Sequence, residues 1–461
     1  MLDRELVHQV LSAARRTGAG FAEVFAEERR STSARLDDGR VEELTYGLDR
    51  GFGIRVVVGE TTSYVHSNRL DANALLRAAE EVAAAARDGG EGGATEFRPL
   101  EPPVRHPARE PATAVDAARK VEWLREAEDA ARSQSPEVRQ VVVGYGDSVQ
   151  RILIANSEGS WTEEERHRLR LIAQAVAARD GLMQTGFEGP AGLGGVELLE
   201  RYPPAETGRT AAAMAVTMLD GRPAPSGEMA VVIGPGGGGV LFHEACGHGL
   251  ESDTIGKEAS IYRGRHGEEL GSKLVTGVDD STVPGAWGSF SFDDEGTPAQ
   301  RTVLFEEGRL VGYLHDRLWG KRASSEPTAN GRRQSYAHLP IPRMTNTSIL
   351  PGADDPEAIV AGTERGLYAK VLGGGQVNPA TGDFVFGVAE GYMIEDGRIT
   401  HPVRGANLIG NGVTVMQAVD AVASDYDSRP GTCGKDGQGV PVTTGSPTLR
   451  IARMTVGGTG G

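Results

Sequence analysis

The chain has 461 residues and a formal net charge of −16. That length exceeds one ordinary hydrophobic core and favours two domains. The acidity excludes a general nucleic-acid binder, because binding phosphates needs a basic surface. With 39% hydrophobic residues, only 5% aromatic residues and 64 glycines, the composition points to a turn-rich β or α+β fold rather than a helical bundle. The first residues, Met1-Leu2-Asp3-Arg4-Glu5, have neither the basic nor the apolar region of a signal peptide. No apolar run approaches the roughly 18 residues of a membrane span. Cys246 and Cys433 are too few for a disulfide framework. The expected setting is a reducing cytoplasm, where a thiolate is available to a metal.

In chain order, Leu6, Val7, Val10, Leu11 and Ala14 form the apolar stripe of a first helix that ends at Gly18 and Gly20. Short strands are predicted at 21–28, 40–46 (after an Asp38-Gly39 turn) and 53–58. Asp71 caps an Ala-rich helix over 72–87, and a glycine run at 89–93 opens a Pro-studded exposed loop to Pro111. A second amphipathic helix covers 115–132. Strands are expected at 140–143, 151–155 and 168–177, with a hairpin turn at Asn156-Ser157-Glu158-Gly159. After a helix at 205–219, the break at 221–225 separates an N-terminal α+β domain, 1–225, from a mostly β C-terminal domain, 226–461. The second domain opens with a strand at 229–233, a glycine run at 234–239 and a short helix at 240–250. Hairpins follow at 302–314 and 384–400.

That short helix carries His243-Glu244-Ala245-Cys246-Gly247-His248. A zinc-hydrolase helix usually reads H-E-x-x-H, two imidazoles on one face with the Glu as general base. Here the histidines are five apart, which on a regular α-helix turns them about 140° away from each other. A π-bulge brings i and i+5 onto nearly one face, so the spacing predicts a helix that is bulged, or ends, at Gly247. A catalytic zinc takes three protein ligands and keeps one open position. Glu251, Asp253 and Cys433 are the candidates for the third ligand. Cys433, placed in a loop of small turn-forming residues, ranks first and Glu251 second. Cys246 reads as a small buried hydrophobe. The glycines at 234–239 lack the Lys-Ser/Thr of a phosphate loop and fit close backbone approach better. Asp293-Asp294-Glu295 reads as a solvated turn ahead of a second metal site, and His315 and His338 as structural groups.

Other stretches extend the pattern. Phe242-His243-Glu244-Ala245-Cys246-Gly247-His248-Gly249-Leu250-Glu251 is followed in order by Asp293-Asp294-Glu295-Gly296-Thr297-Pro298, Asn330-Gly331-Arg332-Arg333-Gln334-Ser335-Tyr336-Ala337-His338-Leu339-Pro340 and Pro342-Arg343-Met344-Thr345-Asn346-Thr347. Gly373-Gly374-Gly375-Gln376-Val377 and Thr432-Cys433-Gly434-Lys435-Asp436-Gly437-Gln438 complete the series. Together they resemble the TldD/PmbA family of TldD-type metalloproteases and modulators of DNA gyrase, strongly from about residue 228 onward and only in element order before it. The resemblance implies a zinc-dependent peptidase with His243, His248 and Cys433 as Zn²⁺ ligands and Glu244 as catalytic base. It also implies a dimer, with a related PmbA (TldE)-like subunit or with a second copy. Such a dimer encloses a chamber for unfolded or short peptides, held by strand addition. Nitrogen and sulfur ligation favours zinc over Mg²⁺ or Ca²⁺. Cys246, at a variable position of the motif, adds a thiol near the metal. Two other readings stand beside the peptidase. One is a regulatory subunit with a structural zinc closed by Cys246 or Glu251; the other is a hydrolase of small amides or of a modified peptide precursor.

Overall fold

The structure, a computed structural model, describes residues 1–85 and 96–459. The glycine run at 89–93, the end of the predicted 72–87 helix and the final Gly460-Gly461 lie outside the described residues. The molecule is α+β, and its C-terminal half is mostly β with the motif on a short helix.

The first helix forms at Arg4–Ala14, where Asp3 accepts a hydrogen bond from the Leu6 amide at 2.8 Å and Val7, Val10, Leu11 and Ala14 are buried. Asp38 and Gly39 adopt left-handed conformations (φ 49° and 79°), as a two-residue hairpin turn requires, and join the antiparallel strands Phe21–Asp37 and Arg40–Val58. These strands are longer than the predicted ones. The predicted 140–143 and 151–155 are likewise one strand, Val138–Asn156. The joining residues 144–150 are mostly polar or glycine, with only Tyr145 and Val149 apolar, so no alternation marks them. Strands on either side satisfy their backbone groups and hold them in the sheet.

The N-terminal sheet runs in the order Thr61–Ser67, Arg40–Val58, Phe21–Asp37, Val138–Asn156, Ser160–Arg179, Arg98–Pro99, with Leu182–Glu188 and Ala191–Leu193 also pairing with Ser160–Arg179. Its two faces differ in chemistry. Val24, Ile54, Leu153 and Leu171 lie on one face, in the two cores built with the helices Arg4–Ala14, Ala72–Ala85, Ala117–Arg132 and Pro204–Leu219. The residues between them in the strands, among them Glu23, Glu27, Arg55, Gln150, Arg166 and Arg168, form a largely polar face, interrupted by Phe25, Ile152 and Ile154, that is nonetheless buried. The C-terminal half covers it.

Asp293-Asp294-Glu295, expected as a solvated turn, is part of that cover: relative exposures are 0%, 4% and 0%. Asp294 accepts from Arg166 at 2.7 Å, Glu295 pairs with Arg55 at 2.6 Å, and Asp293 accepts from the backbone amides of Glu295, Thr297 and Gly331. Arg333 reaches back to Glu23 at 2.5 Å. The cluster is a buried junction between the halves rather than a solvated turn, its carboxylates engaged by arginines and backbone amides.

In the C-terminal half, five strands form a closed hydrogen-bonded circuit: Arg365–Val377, Gly227–Ile233, Leu449–Gly457, Asn407–Asn411, Asp383–Glu395 and back to Arg365–Val377. A second sheet runs Arg309–Leu310, Arg301–Glu306, Gly277–Asp280, Asn346–Ile349, Gln438–Ser446, Asp427–Lys435. The motif segment, 237–250, is wedged between the two. The glycine run permits this approach. A Cβ on Gly239 would meet the Gly445 nitrogen at 2.3 Å, and one on Gly238 would meet Leu449 at 2.4 Å. The predicted helix at 240–250 is therefore three pieces, Gly237–Phe242, a π-helical His243–Gly247 and His248–Leu250.

Candidate metal centre

The bulge lies where the histidine spacing requires it. The His248 N–H donates to the His243 carbonyl, an i to i+5 bond between the two residues in question. Gly247 has φ −53°, a conformation open to any residue, so its lack of a side chain serves packing. A Cβ there would lie 2.0 Å from the Met344 sulfur. With the helix bulged, both imidazoles turn toward Cys433. His243 Nε2 is 3.3 Å and His248 Nε2 3.4 Å from Cys433 Sγ, and the three donor atoms lie within 4.8 Å of one another. Cys433 sits on the strand Asp427–Lys435, where a loop was expected, and the Asp436-Gly437 turn (φ 49° and 73°) sends the chain back as Gln438–Ser446. Glycines around the cysteine hid the strand from its sequence.

The far nitrogen of each ring is held in place. Thr347 Oγ1 donates to Asp279 at 3.0 Å, so toward His243 Nδ1, at 3.4 Å, it can only accept. His248 Nδ1 meets the Glu251 carboxylate at 3.1 Å. Both contacts hold a ring proton on Nδ1, so each Nε2 would present its lone pair to a bound metal. Burial opposes charge on the His248 ring, but Glu251 and Cys433 outweigh it and raise its pKa. Glu251 is fully buried and is held by Lys435 at 2.9 Å, which also donates to Asp253 at 2.5 Å and to the Pro342 carbonyl at 3.2 Å. Burial opposes the charge on Glu251, but Lys435 and His248 outweigh it and bring its pKa to about 2. Burial likewise raises the Cys433 thiol, and the two imidazoles prevail and hold it well below its ordinary range. Arg343, fully buried, donates to the Cys433 carbonyl and fixes the strand from behind.

This donor set fits a zinc ion. Bonds of about 2.3 Å to sulfur and about 2.0 Å to nitrogen at tetrahedral angles separate S from N by about 3.5 Å, close to the 3.3 and 3.4 Å found. Cys246 does not join them. It is fully buried in the core, receives the Tyr262 hydroxyl at 3.3 Å, and burial pushes its thiol up to about 12. Glu251 orients a ring and faces away from the three donors. Asp253 belongs to the Lys435 pair. His338 is a structural group bonded to Ser335 at 3.0 Å, and His315 is buried, its backbone N–H donating to Thr328 Oγ1 at 2.6 Å. Thr347 and Lys435 were within stretches quoted from the sequence, but nothing there marked their role. Asp279 carried no signal at all, because its partners Asn330, Thr345 and Thr347 lie 51 to 68 residues away.

Glu244 differs from its neighbours. Its side chain is 26% exposed, with Oε2 3.8 Å from His248 Nε2. It lines an open cleft of about 510 Å³ together with His248, Gln376, Val377, Gly434 and Lys435. Beyond Ala369 the strand Arg365–Val377 pairs as a strand only with Asp383–Glu395, and Asp427–Lys435 only with Gln438–Ser446, with the Cys433 carbonyl taken by Arg343. Among the described residues, two unpaired strand edges therefore border the cleft.

A closed β circuit and a second sheet, clamping a π-bulged helix with two imidazoles and a thiolate, define a fold-and-site class that the comparisons specify. The chain matches the models described as PmbA/TldA metallopeptidase domain 1 at residues 22–86, central domain at 110–219 and C-terminal domain at 226–458. The chain belongs to the PmbA/TldD family. It is 37% identical over 448 residues to the metalloprotease TldD homolog of Haemophilus influenzae, covering 95% of this chain and 93% of that protein. It is 36% identical over 442 residues to a metalloprotease of Methanothermobacter thermautotrophicus, covering 95% and 96%. The fold is shared with TldE from Thermococcus kodakarensis, with a TM-score of 0.79 at 18% identity over 98% of this chain and 99% of that one. No helix among the described residues is long and apolar enough to cross a membrane.

Proposed function

We propose that the protein is a zinc-dependent peptidase of the cytoplasm that cleaves unfolded or short peptides. The single observation that carries this reading is the donor triangle of His243, His248 and Cys433, with the carboxylate of Glu244 beside it on the cleft side. That relatives are metalloproteases supports the peptidase part of this reading. Zn²⁺ held by those donors supplies Lewis acidity, for a scissile carbonyl and for water alike. Glu244 accepts the proton of the attacking water at its carboxylate and returns it to the leaving amine. Exposure suits that task, since a proton shuttle has to reach the cleft. The Nδ1 contacts from Thr347 and Glu251 keep both imidazoles oriented through the cycle. The unpaired edges at 370–377 and 427–435 offer backbone N–H and C=O groups to an extended peptide, a mode that asks little of side-chain identity.

A dimer with a TldE-like subunit, or with a second copy, encloses the cleft in this reading. The arm of Arg40–Val58 supports it, because Leu44, Tyr46 and Leu48 are 41%, 63% and 61% exposed there. A structural zinc in a regulatory subunit is less well supported. The donor group found among the described residues has three members, and both proposed fourth ligands are engaged elsewhere. Small amides and modified precursors are the competing substrates. The deciding experiment compares hydrolysis of unfolded peptides with that of small amides, by the zinc-loaded protein and by Glu244→Gln. Peptide cleavage that the variant loses while keeping its zinc is expected; cleavage of amides alone overturns the substrate class.

A further inference from the structure

Behind the Cys433 hairpin, between the polar face of the N-terminal sheet and the C-terminal half, lies a cavity of about 220 Å³. Arg29, Arg166, Arg168, Arg332 and Arg333 line it, with Asp294 as the lone acid in its wall. Thr432 also lines it, whereas the next side chain on the strand, Cys433, points to the donor triangle. The cavity is therefore separate from the metal centre.

Three of the arginines have carboxylate partners: Arg29 with Glu27 at 3.0 Å, Arg166 with Asp294 and Glu164, and Arg333 with Glu23. Arg168 and Arg332 have none among the described residues. Arg168, 7% exposed, makes only long bonds to neutral acceptors: Gln150 Oε1 at 3.3 Å and the carbonyls of Trp287 and Ser289 at 3.4 Å each. Arg332, 3% exposed, donates to the carbonyls of Met344 at 2.5 Å and Pro441 at 2.7 Å. Among the described residues the Nε–H of Arg333 has no hydrogen-bond partner. A guanidinium stays protonated even when buried, and a buried charge demands a counter-charge. Burial and then neighbouring arginines pull Arg168 down to about 9; burial brings Arg332 to about 10, with Asp294 opposing it and Arg343 and Arg166 adding to it.

We propose that this cavity binds a small oxyanion, a phosphate or carboxylate group seated between the guanidiniums of Arg168 and Arg332. Planar N–H forks from two sides match the geometry of such a group. Arg168 comes from the N-terminal sheet and Arg332 from the C-terminal half, so the anion fastens the two halves directly behind the strand that carries Cys433. The occupant is a free oxyanion or the carboxylate terminus of a peptide.

The test uses the intact protein, titrated with sodium phosphate at ionic strength matched by chloride, in a calorimeter and by thermal unfolding. Saturable one-site binding and a Tm rise of roughly 2–4 °C at a hundredfold excess over Kd are expected. Arg168→Gln is expected to unfold at the same or a higher temperature than the parent in chloride, and to lose the phosphate response. An arginine with a merely structural role would lower Tm in both buffers alike. Arg29→Gln, at the half-exposed rim, keeps the test alive should Arg168→Gln fail to fold, and is expected to weaken phosphate binding several-fold. Competition by a short peptide acid, and none by its C-terminal amide, identifies the carboxylate as occupant; no competition by either identifies the free oxyanion. Absence of saturable binding by phosphate and peptide acid, or an undiminished phosphate response in both variants, overturns the proposal.

Discussion

Glu244 and Glu251 flank the second histidine, and their surroundings assign them different tasks. Glu244 is partly exposed on the cleft side, and its replacement by Gln is expected to lower peptidase turnover by about 10²- to 10⁴-fold with zinc content unchanged. Metal analysis of the purified variant beside its turnover number checks both halves of that statement. Glu251 instead anchors the His248 ring from a fully buried position. Glu251→Gln should weaken zinc affinity by about 10- to 100-fold, as read by competition with a chromophoric chelator. The same residue makes stability depend on acid. Its pKa falls from 4.5 to about 2 on folding, so its contribution is complete above the unfolded value and is lost as pH drops from about 4.5 to about 2. Urea midpoints measured across that window should fall more steeply for the parent than for Glu251→Gln; parallel curves would show that the buried ion pair is not formed.

At the scale of elements, the bulged helix is the part of the site most legible in the sequence. Five-residue spacing on a helix leaves few ways to bring two imidazoles together, and the π-turn at His243–Gly247 is one of them. What the spacing did not reveal is why Gly247 is glycine. The cause is Met344, from a segment about a hundred residues later, which occupies the place of a side chain. Gly247→Ala is therefore expected to cost about 1–3 kcal/mol through overpacking, measured by denaturant unfolding. Gly239→Ala should cost more, because its Cβ would meet the backbone of Gly445 at 2.3 Å, where no side chain can swing aside. The strand carrying Cys433 escaped notice for a related reason. Its glycines and polar residues show no alternation, and its pairing with Gln438–Ser446 supplies the order that composition does not.

Across the whole molecule, the two halves meet largely through charge, beside a small apolar cluster of Phe25, Ile152 and Ile154 with Tyr336. The helix-side face of the N-terminal sheet was legible in part, where the predicted strands carry Val24, Ile54, Leu153 and Leu171. Its opposite face was not, because Glu23, Arg55, Arg166 and Arg168 look solvent-exposed until the C-terminal half covers them. Asp294 and its partner Arg166 are 128 residues apart, so neither stretch announces the other. Buried pairs of this kind are costly to break singly. Arg166→Ala and Asp294→Ala are each expected to destabilise by about 3–5 kcal/mol, and the double variant by much less than their sum. Unfolding of the four proteins in denaturant gives the coupling energy. Strict additivity would contradict a junction built on that pair.

The most direct test of the metal centre is X-ray absorption at the zinc edge of the loaded protein. One sulfur, two imidazole nitrogens and one further light atom are predicted, with the sulfur lost in Cys433→Ser. A shell with two sulfurs would bring Cys246 into the site, and a shell with none would leave Cys433 out of it; either result contradicts the account.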